Sequence, residues 1–290
     1  MQSKIFCEKS ERNFSQEKIE RLFKGNVLKK FIPFNMPDFQ IITSLDNSQV
    51  KLLGKLSLKK YRQEFGQFMV ENFIIIFDAL VSGFDFESVF VTQEFIDKHP
   101  DEIRFLQKQS RANNFYLIDE KINKSYSELD TASGITAVYN IKAKEISQSS
   151  VIYLNGISDP GNLGTIMRNC LAFGFENLVL DKTCTDVYNS KTINAAKDSV
   201  FKLNILEDKD DTWLVQNTLP IYTTSSHCGK NLSEFKPAPN FCLVLGSESH
   251  GVEQGIFERA AETIKIEMSD QIESLNVASS AAILLYELGK

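Results

Sequence analysis

The chain is expected to be an α/β protein in two unequal layered parts, and three observations predict this. Short β-branched or aromatic runs alternate with helical patterns from about residue 43 onward, the signature of helices packed on a sheet. From Val151 the alternation becomes cleaner, with "VIYLN", "NLVL", "KLNI", "PIYTT", "FCLVL" and "TIKI" separated by helical segments. Apolar strands spaced by helices imply a mostly parallel sheet covered on both faces. Between the two parts, "IKAKEISQSS" (residues 141–150) is poor in apolar residues and marks a boundary.

Residues 1–42 form a polar N-terminal extension. Ser15 can cap a short helix carrying Ile19, Leu22 and Phe23, and two prolines in "FIPFNMPDF" end it. Residues 43–147 form the first α/β part. "QVKLLGKLSLKKYRQE" has the spacing of one amphipathic helix, "GQFMV" and "SVFVT" are strands, and "ENFIIIFDALVSG" is a helix closing at Gly83. "FIDKHPDEIRFLQKQSRANN" holds one or two helices and "GITAVYN" a last strand. Residues 148–290 form the second part.

Composition narrows the class. With 42% hydrophobic and 24% charged residues, the chain has the balance of a globular protein with a real core. A net charge of -6 excludes an indiscriminate polyanion binder, because such binding rests on Lys and Arg against phosphates. The five cysteines are odd in number, widely spaced and never in a C-x-x-C pair, which suits reduced thiols and excludes a zinc site by spacing. "MQSKIFCEKSERNF" has no uninterrupted apolar core, and no apolar run of about 18 residues occurs. We therefore expect a cytoplasmic protein with no membrane span and no metal.

Ligands of covered parallel sheets sit beyond the carboxyl ends of the strands. Three loops fall there. "SDPGNLGTIMRNC" (158–170) makes a Pro-Gly turn into a helix whose Leu163, Ile166, Met167, Cys170 and Leu171 form an apolar stripe. Asn162 is expected as its N-cap, and Arg168 projects with Thr165 and Ala172 from another face. "LVLGSESHG" runs a buried strand into Gly246, Glu248 and Gly251, where glycines permit close backbone approach. In "IESLNVASSAAILLYE", Ser274 is expected to cap the C-terminal helix, which leaves Asn276 unexplained. Each loop alone is an ordinary strand-to-helix connection.

Together and in this order, "NGISDPGNLGTIMRNCLAFG", "LVLGSESHGV" and "IKIEMSDQIESLNVASSAAILLYE" closely resemble the three signature motifs of the SpoU (TrmH-like) RNA 2'-O-ribose methyltransferases. Upstream, "ITSLDNSQVKLLGKLSLKKYRQEFGQFMVE" is similar to the start of the L30e-like substrate-binding domain that precedes the catalytic domain in many members. The resemblance implies a C-terminal trefoil-knotted domain of SPOUT type, S-adenosylmethionine as methyl donor, structured RNA as substrate with rRNA ahead of tRNA, and a homodimer. It implies Arg168 as the catalytic arginine, Asn162 and Glu248 orienting it and the substrate, and Ser274 and Asn276 shaping the site. The cofactor would lie around Gly246, Ile266, Met268 and Leu275.

A further reading concerns RNA. "KLLGKLSLKKYR" (51–62) holds five basic residues and no acid, and on one helix Lys51, Lys55, Lys59 and Arg62 fall along a single face. We expect that face to contact phosphates.

The chain departs from the family pattern in places. Members often show Lys-x-x-Arg-x-Ser-x-Gly between the first two motifs. Here "KTINAAKDS" keeps Lys191 but has Asn194, Ala196 and Asp198. Glu267 stands where a proline is usual, and Asn72 where a glycine follows "VE". An alternative is therefore a catalytically silent RNA-binding or ribosome-assembly protein. A nicotinamide dehydrogenase is excluded, because "VIYLNGISDPGNLG" lacks a G-x-G-x-x-G with a following acid.

Overall fold

In the computed structural model, the described residues are 39–112, 114–142, 144–247 and 250–289. The helix expected after Ser15, with the rest of residues 1–38, lies outside them, as does Glu248.

The first sheet is built from β1 (Gln40–Ile41), β2 (Gln67–Val70), β3 (Ser88–Thr92), β4 (Phe115–Ile118) and β5 (Ile135–Asn140), in the order β1-β4-β3-β5-β2. β1, β4 and β3 are parallel, while β5 runs antiparallel to both β3 and β2. Its helices are α1 (Ser48–Leu56), α2 (Lys59–Phe65), α3 (Phe73–Val81), α4 (Gln93–Lys98), α5 (Pro100–Gln109) and α6 (Glu120–Tyr126). The sequence reading missed β1, β4 and α6. β4 is only "FYLI", too short to separate by periodicity from a helical turn.

The single amphipathic helix expected over "QVKLLGKLSLKKYRQE" is two helices. α1 stops at Ser57, whose hydroxyl donates to the Gly54 carbonyl at 2.8 Å, and Leu58 is extended at φ -103°. The break buries Leu53 and Leu56 from α1 beneath the sheet while turning α2 into a new direction.

The second sheet holds β6 (Val151–Asn155), β7 (Asn177–Asp181), β8 (Asn204–Asp208), β9 (Ile221–Thr224), β10 (Lys230–Asn231), β11 (Cys242–Gly246) and β12 (Glu262–Lys265). Their order is β10-β12-β9-β11-β6-β7-β8, and every pairing is parallel. β6 and β7 are buried at every position, as a sheet covered on both faces requires. The covering helices are α7 (Pro160–Ala172), α8 (Ser190–Ala196), α9 (Ser199–Lys202), α10 (Thr212–Gln216), α11 (Gln254–Phe257) and α12 (Val277–Leu288). α7 and α8 pack closely: a Cβ on Gly164 would lie 2.5 Å from the Ala195 Cβ. From β6 the chain moves outward to β7 and β8 on one side, while from β11 it moves to β12 on the other, so the sheet has its switch point between β6 and β11. Loops leaving the carboxyl ends of these two strands flank the crevice where ligands of such sheets bind.

The two sheets belong to one unit, Gln40–Lys290, and a buried ion pair joins them. Arg62 is 4% exposed; its Nε and Nη2 donate to Asp186 Oδ2 at 3.0 and 2.5 Å, and Nη1 donates to the Leu56 and Ser57 carbonyls at 2.7 and 2.8 Å. This corrects the expectation of a single basic face containing Arg62. The helix breaks before it, and its guanidinium is spent on a carboxylate 124 residues away. Lys55 and Lys59 remain exposed, and Lys51 pairs with Asp46 at 2.9 Å in solvent.

Candidate functional site

The crevice is assembled by backbone pairing first. Gly246 at the end of β11 pairs with Asn155 at the end of β6, so the loops that follow start side by side. Asn155 then ties them together: its Oδ1 accepts from the Glu253 N–H at 2.7 Å, and its Nδ2 donates to Asp181 Oδ2 at 2.7 Å. Asp181 also accepts from the backbone N–H groups of Thr183 and Cys184 at 2.9 and 3.0 Å. Burial alone would raise its carboxyl, but hydrogen bonds from Thr183, Asn155 and Cys184 overcome that and hold it below the usual range. Asn155 and Asp181 were missed in the sequence, where the first reads as the last residue of a strand and the second as the residue after one.

The loop after β11 closes on itself, Ser247 N–H to Gly251 O at 3.0 Å and Gly251 N–H to Ser247 O at 2.9 Å. Gly251 takes φ +68°, and a Cβ on Gly246 would come within 2.2 Å of the Gly251 carbonyl carbon. Only glycine fits at 246, because the backbone itself crosses that space.

This loop walls a cavity of about 530 Å³. Gly246, Ile266, Met268 and Leu275, expected around the cofactor, all line it, and so does Ser274. The loop after β9 adds residues the sequence reading left out, among them Ser225 and His227. Their signal was positional, since they follow the carboxyl end of a parallel strand. His250 also lines the cavity, although the sequence reading assigned it no role.

Beside the cavity the structure joins two of the predicted residues and corrects two capping assignments. Asn276, not Ser274, caps α12: its Oδ1 accepts from the N–H groups of Ala278 and Ser279 at 3.0 and 3.3 Å. Its Nδ2 donates to Asn162 Oδ1 at 3.0 Å, so one amide caps a helix and grips a second. Asn162 does not cap α7; Asp159 does, its Oδ1 accepting from the Asn162 N–H at 2.8 Å. The reason is Pro160, which takes the first helical position and leaves the cap to the residue before it. Asn169, two turns further along the Asn162 side of α7, donates to the Ala278 carbonyl at 3.1 Å.

Arg168 lies on the other side of α7 with Thr165 and Ala172, all three exposed. Its side chain makes no hydrogen bond or ion pair among the described residues and does not line the cavity.

The departures from the family pattern have local explanations. Glu267 accepts from Asn231 Nδ2 and Ser233 Oγ, both at 2.9 Å, fixing the strand exit that a proline otherwise stiffens. Asn72 caps α3 and its Nδ2 reaches Asn194 Oδ1 at 3.4 Å, so two of the departures touch across the two sheets. Ala196 is buried against α7, and Asp198 pairs with Lys202 at 2.5 Å.

Cys170 and Cys242 are fully buried, and burial pushes both thiols up to about 12, which leaves them unreactive core residues. Among the described residues no group of His, Cys, Asp and Glu is placed to hold a metal ion, and no helix is long and apolar enough to cross a membrane.

An all-parallel sheet with a looped-back cavity at its switch point, preceded by a small mixed sheet, defines an α/β protein with a candidate ligand site at the carboxyl edge. Comparison with known proteins agrees. Residues 149–286 match the SpoU rRNA Methylase family, and residues 47–137 match the MRM3-like substrate binding domain. Residues 149–286 are thus a SpoU rRNA methylase domain, preceded by an MRM3-like substrate-binding domain. It is 29% identical over 251 residues to the 23S rRNA (guanosine(2553)-2'-O)-methyltransferase RlmP of Bacillus subtilis, spanning 85% of this chain and 98% of that one. Among solved structures it is similar to an RNA 2'-O ribose methyltransferase at 27% identity, with a TM-score of 0.69 over 86% of this chain and 98% of the other. The fold also matches that of an AdoMet-bound rRNA methyltransferase from Sinorhizobium meliloti, with a TM-score of 0.72 at 23% identity over 86% and 97% of the two chains.

Proposed function

We propose that this chain transfers a methyl group from S-adenosylmethionine to a ribose 2'-OH of rRNA. The observation that carries the reading is the cavity at the β6/β11 switch point, walled by the residues of the second and third family motifs. The match to the family and the likeness to RlmP, itself named for 23S rRNA, support RNA as substrate and rRNA ahead of tRNA.

The residues present fit the methyl donor. A cavity of about 530 Å³ lies in the range of small-molecule sites, roughly 300–1,000 Å³. Ile266, Met268 and Leu275 offer an apolar wall for a heterocycle, and the glycine backbone at 246–251 allows close approach of polar groups. When bound, the cofactor supplies an electrophilic methyl group on sulfur. The chain's task is to hold a ribose oxygen in line with it and to stabilise charge as the hydroxyl proton leaves.

Arg168 fills that second role as a fixed cation. A guanidinium does not give up its proton in proteins, so it acts on the developing alkoxide or a neighbouring phosphate rather than as a base. Asn162 and Asn276 fix α7 against the cavity wall, Ser274 shapes its rim, and Glu248 orients the arginine and substrate. Arg168 stands away from the cavity of its own chain, and Ile272, Ile283 and Tyr286 are exposed apolar side chains. Both facts support a homodimer in which each site is completed near the subunit interface.

The expected trefoil knot belongs to this reading; the segments 246–252 and 266–275 that flank one cavity are where it would be tied. The cytoplasm is the compartment this reading assigns. We divide the chain into a substrate-binding part and a methyltransferase part meeting near residue 148, as the two separate sheets suggest, and start the first of these at Gln40 rather than at 43, because β1 pairs with β4 and Ile42 is buried in the same core. Lys51, Lys55 and Lys59 are the phosphate contacts of the substrate-binding part.

The test is incubation of the purified chain with methyl-labelled S-adenosylmethionine and rRNA or tRNA lacking the modification. We expect label in rRNA. Label in neither RNA, despite measurable donor binding, would mark a silent RNA-binding protein instead.

A further inference from the structure

A second cavity, sharing no residue with the first, opens between the two sheets. It measures about 560 Å³. Its walls are aromatic: Phe68 and Tyr139 from the first sheet, Phe84 from the loop after α3, and Tyr188 and Phe201 from the second part. The rings pack on one another along the wall, with centroids 4.6 Å apart for Phe68 and Tyr188, 4.7 Å for Tyr139 and Phe201, and 5.7 Å for Phe84 and Phe201.

Two features separate this cavity from a packing defect. The Tyr139 hydroxyl is buried with no hydrogen-bond partner among the described residues, although Tyr139 lines the cavity and is only 2% exposed. An orphaned hydroxyl is costly, and a phenylalanine would fill the same space without it. The charges at the mouth are also unbalanced in use. Asp85 is engaged by Ser110 Oγ at 2.5 Å and the Arg111 N–H at 2.7 Å, and Glu87 accepts from Asn140 Nδ2. The side chains of Arg111 and Lys142 line the same cavity and make no ion pair among the described residues.

We propose that this cavity receives one unpaired nucleoside of the RNA substrate. Its base lies against the aromatic walls, a polar atom of its edge meets the Tyr139 hydroxyl, and the adjoining phosphate meets Arg111 and Lys142. Aromatic faces beside free cations are the chemistry that recognises single-stranded nucleotides, and the volume holds a nucleoside with room to enter. The proposal rests on the reading of RNA as substrate and extends it. It gives the protein a point of RNA recognition remote from the methyl-transfer cavity, at the seam between the two sheets.

A nucleoside phosphate could come from RNA or from the free nucleotide pool, so the experiment has two arms. Fluorescence anisotropy measures binding of a labelled single-stranded RNA 10-mer to the full chain, and calorimetry measures binding of the four nucleoside 5'-monophosphates. Tyr139→Phe and Arg111→Ala are compared with wild type. Each variant is expected to weaken the oligonucleotide about three- to tenfold, the worth of one hydrogen bond or charge contact. Tyr139→Phe should leave the melting temperature equal or higher, and Arg111→Ala should shrink the salt slope by about 0.7. Affinity for S-adenosylmethionine should not change in either. Oligonucleotide affinity equal to wild type in both variants overturns the proposal. Monophosphates binding as tightly as the 10-mer overturn the RNA source in favour of a free nucleotide. The assay needs no methyl transfer, so failure of the enzymatic reading and failure of this site give different results.

Discussion

At the residue scale, the Asn162–Asn276 contact asks most of single atoms. One carboxamide oxygen caps α12 while the nitrogen of the same group holds Asn162 on α7. Asn276→Asp keeps an acceptor for the cap but replaces the donor by an oxygen facing an oxygen. We expect its melting temperature to stay near wild type, Asp being as good a cap as Asn, while kcat for methyl transfer falls. Asn276→Ala should in addition lose about 1 kcal/mol of stability in a denaturant titration. A kcat equal to wild type in both variants would remove the contact from the account.

The Arg62–Asp186 pair makes an opposite kind of prediction. Arg62→Ala leaves a buried carboxylate without its charge partner, so unfolding stability should drop by about 3–5 kcal/mol. Exchanging both residues for apolar ones should recover much of that. Nearby, Glu71 is buried with one oxygen unpaired among the described residues, and its other oxygen accepts from the Glu128 N–H at 3.1 Å. Burial raises its carboxyl above the ordinary value of 4.5, against weaker lowering by bonds from Ser127 and Glu128. A raised folded value favours the neutral form on folding. The contribution is therefore full below 4.5 and is lost as pH rises through the folded value. Stability of wild type relative to Glu71→Gln should accordingly grow as pH falls from neutrality to the mid-fours, as read by thermal melts across that window.

At the scale of elements, the core strands were legible because period and length agree: "VIYLN" and "FCLVL" are too short for helices and too apolar for loops. The helix over residues 49–64 was legible only as a pattern. Its apolar and basic positions suit one straight helix, and nothing local shows that Leu58 turns extended so that Arg62 can reach Asp186. Capping at α7 failed for a related reason, since Asn162 is a good cap in general but Pro160 assigns that position to Asp159. Contacts between distant residues are not written in local periodicity, and both corrections come from that. With Arg62 withdrawn, the basic surface rests on Lys51, Lys55 and Lys59. Neutralising all three should weaken rRNA binding and reduce the slope of log affinity against log salt by roughly 2–3. Donor affinity should be unchanged. A slope equal to wild type would show that this surface does not meet phosphate.

At the scale of the whole molecule, the three motifs lie far apart in sequence, yet the second and third wall one cavity at the switch point, and the first packs beside it. That convergence was legible only through the ordered motifs; composition and periodicity reached the covered parallel sheet and stopped there. The aromatic seam between the sheets was not legible at all, because Phe68, Tyr139 and Phe201 look like ordinary core residues until their rings are placed together. On the proposed reading, the position of Arg168 away from the cavity of its own chain calls for a site completed by a second copy. Sedimentation at micromolar concentration is expected to give a dimer, and a monomer with full activity would contradict the shared site.

The most direct measurement is nucleoside mass spectrometry of rRNA after incubation with S-adenosylmethionine and either the wild-type chain or Arg168→Ala. The account predicts a 2'-O-methylnucleoside with wild type. It predicts a yield at least about 100-fold lower with Arg168→Ala, the scale of losing one charge-stabilising group at a transition state, while donor affinity holds. A methyl group found on a base, or equal ribose methylation by the variant, would contradict it.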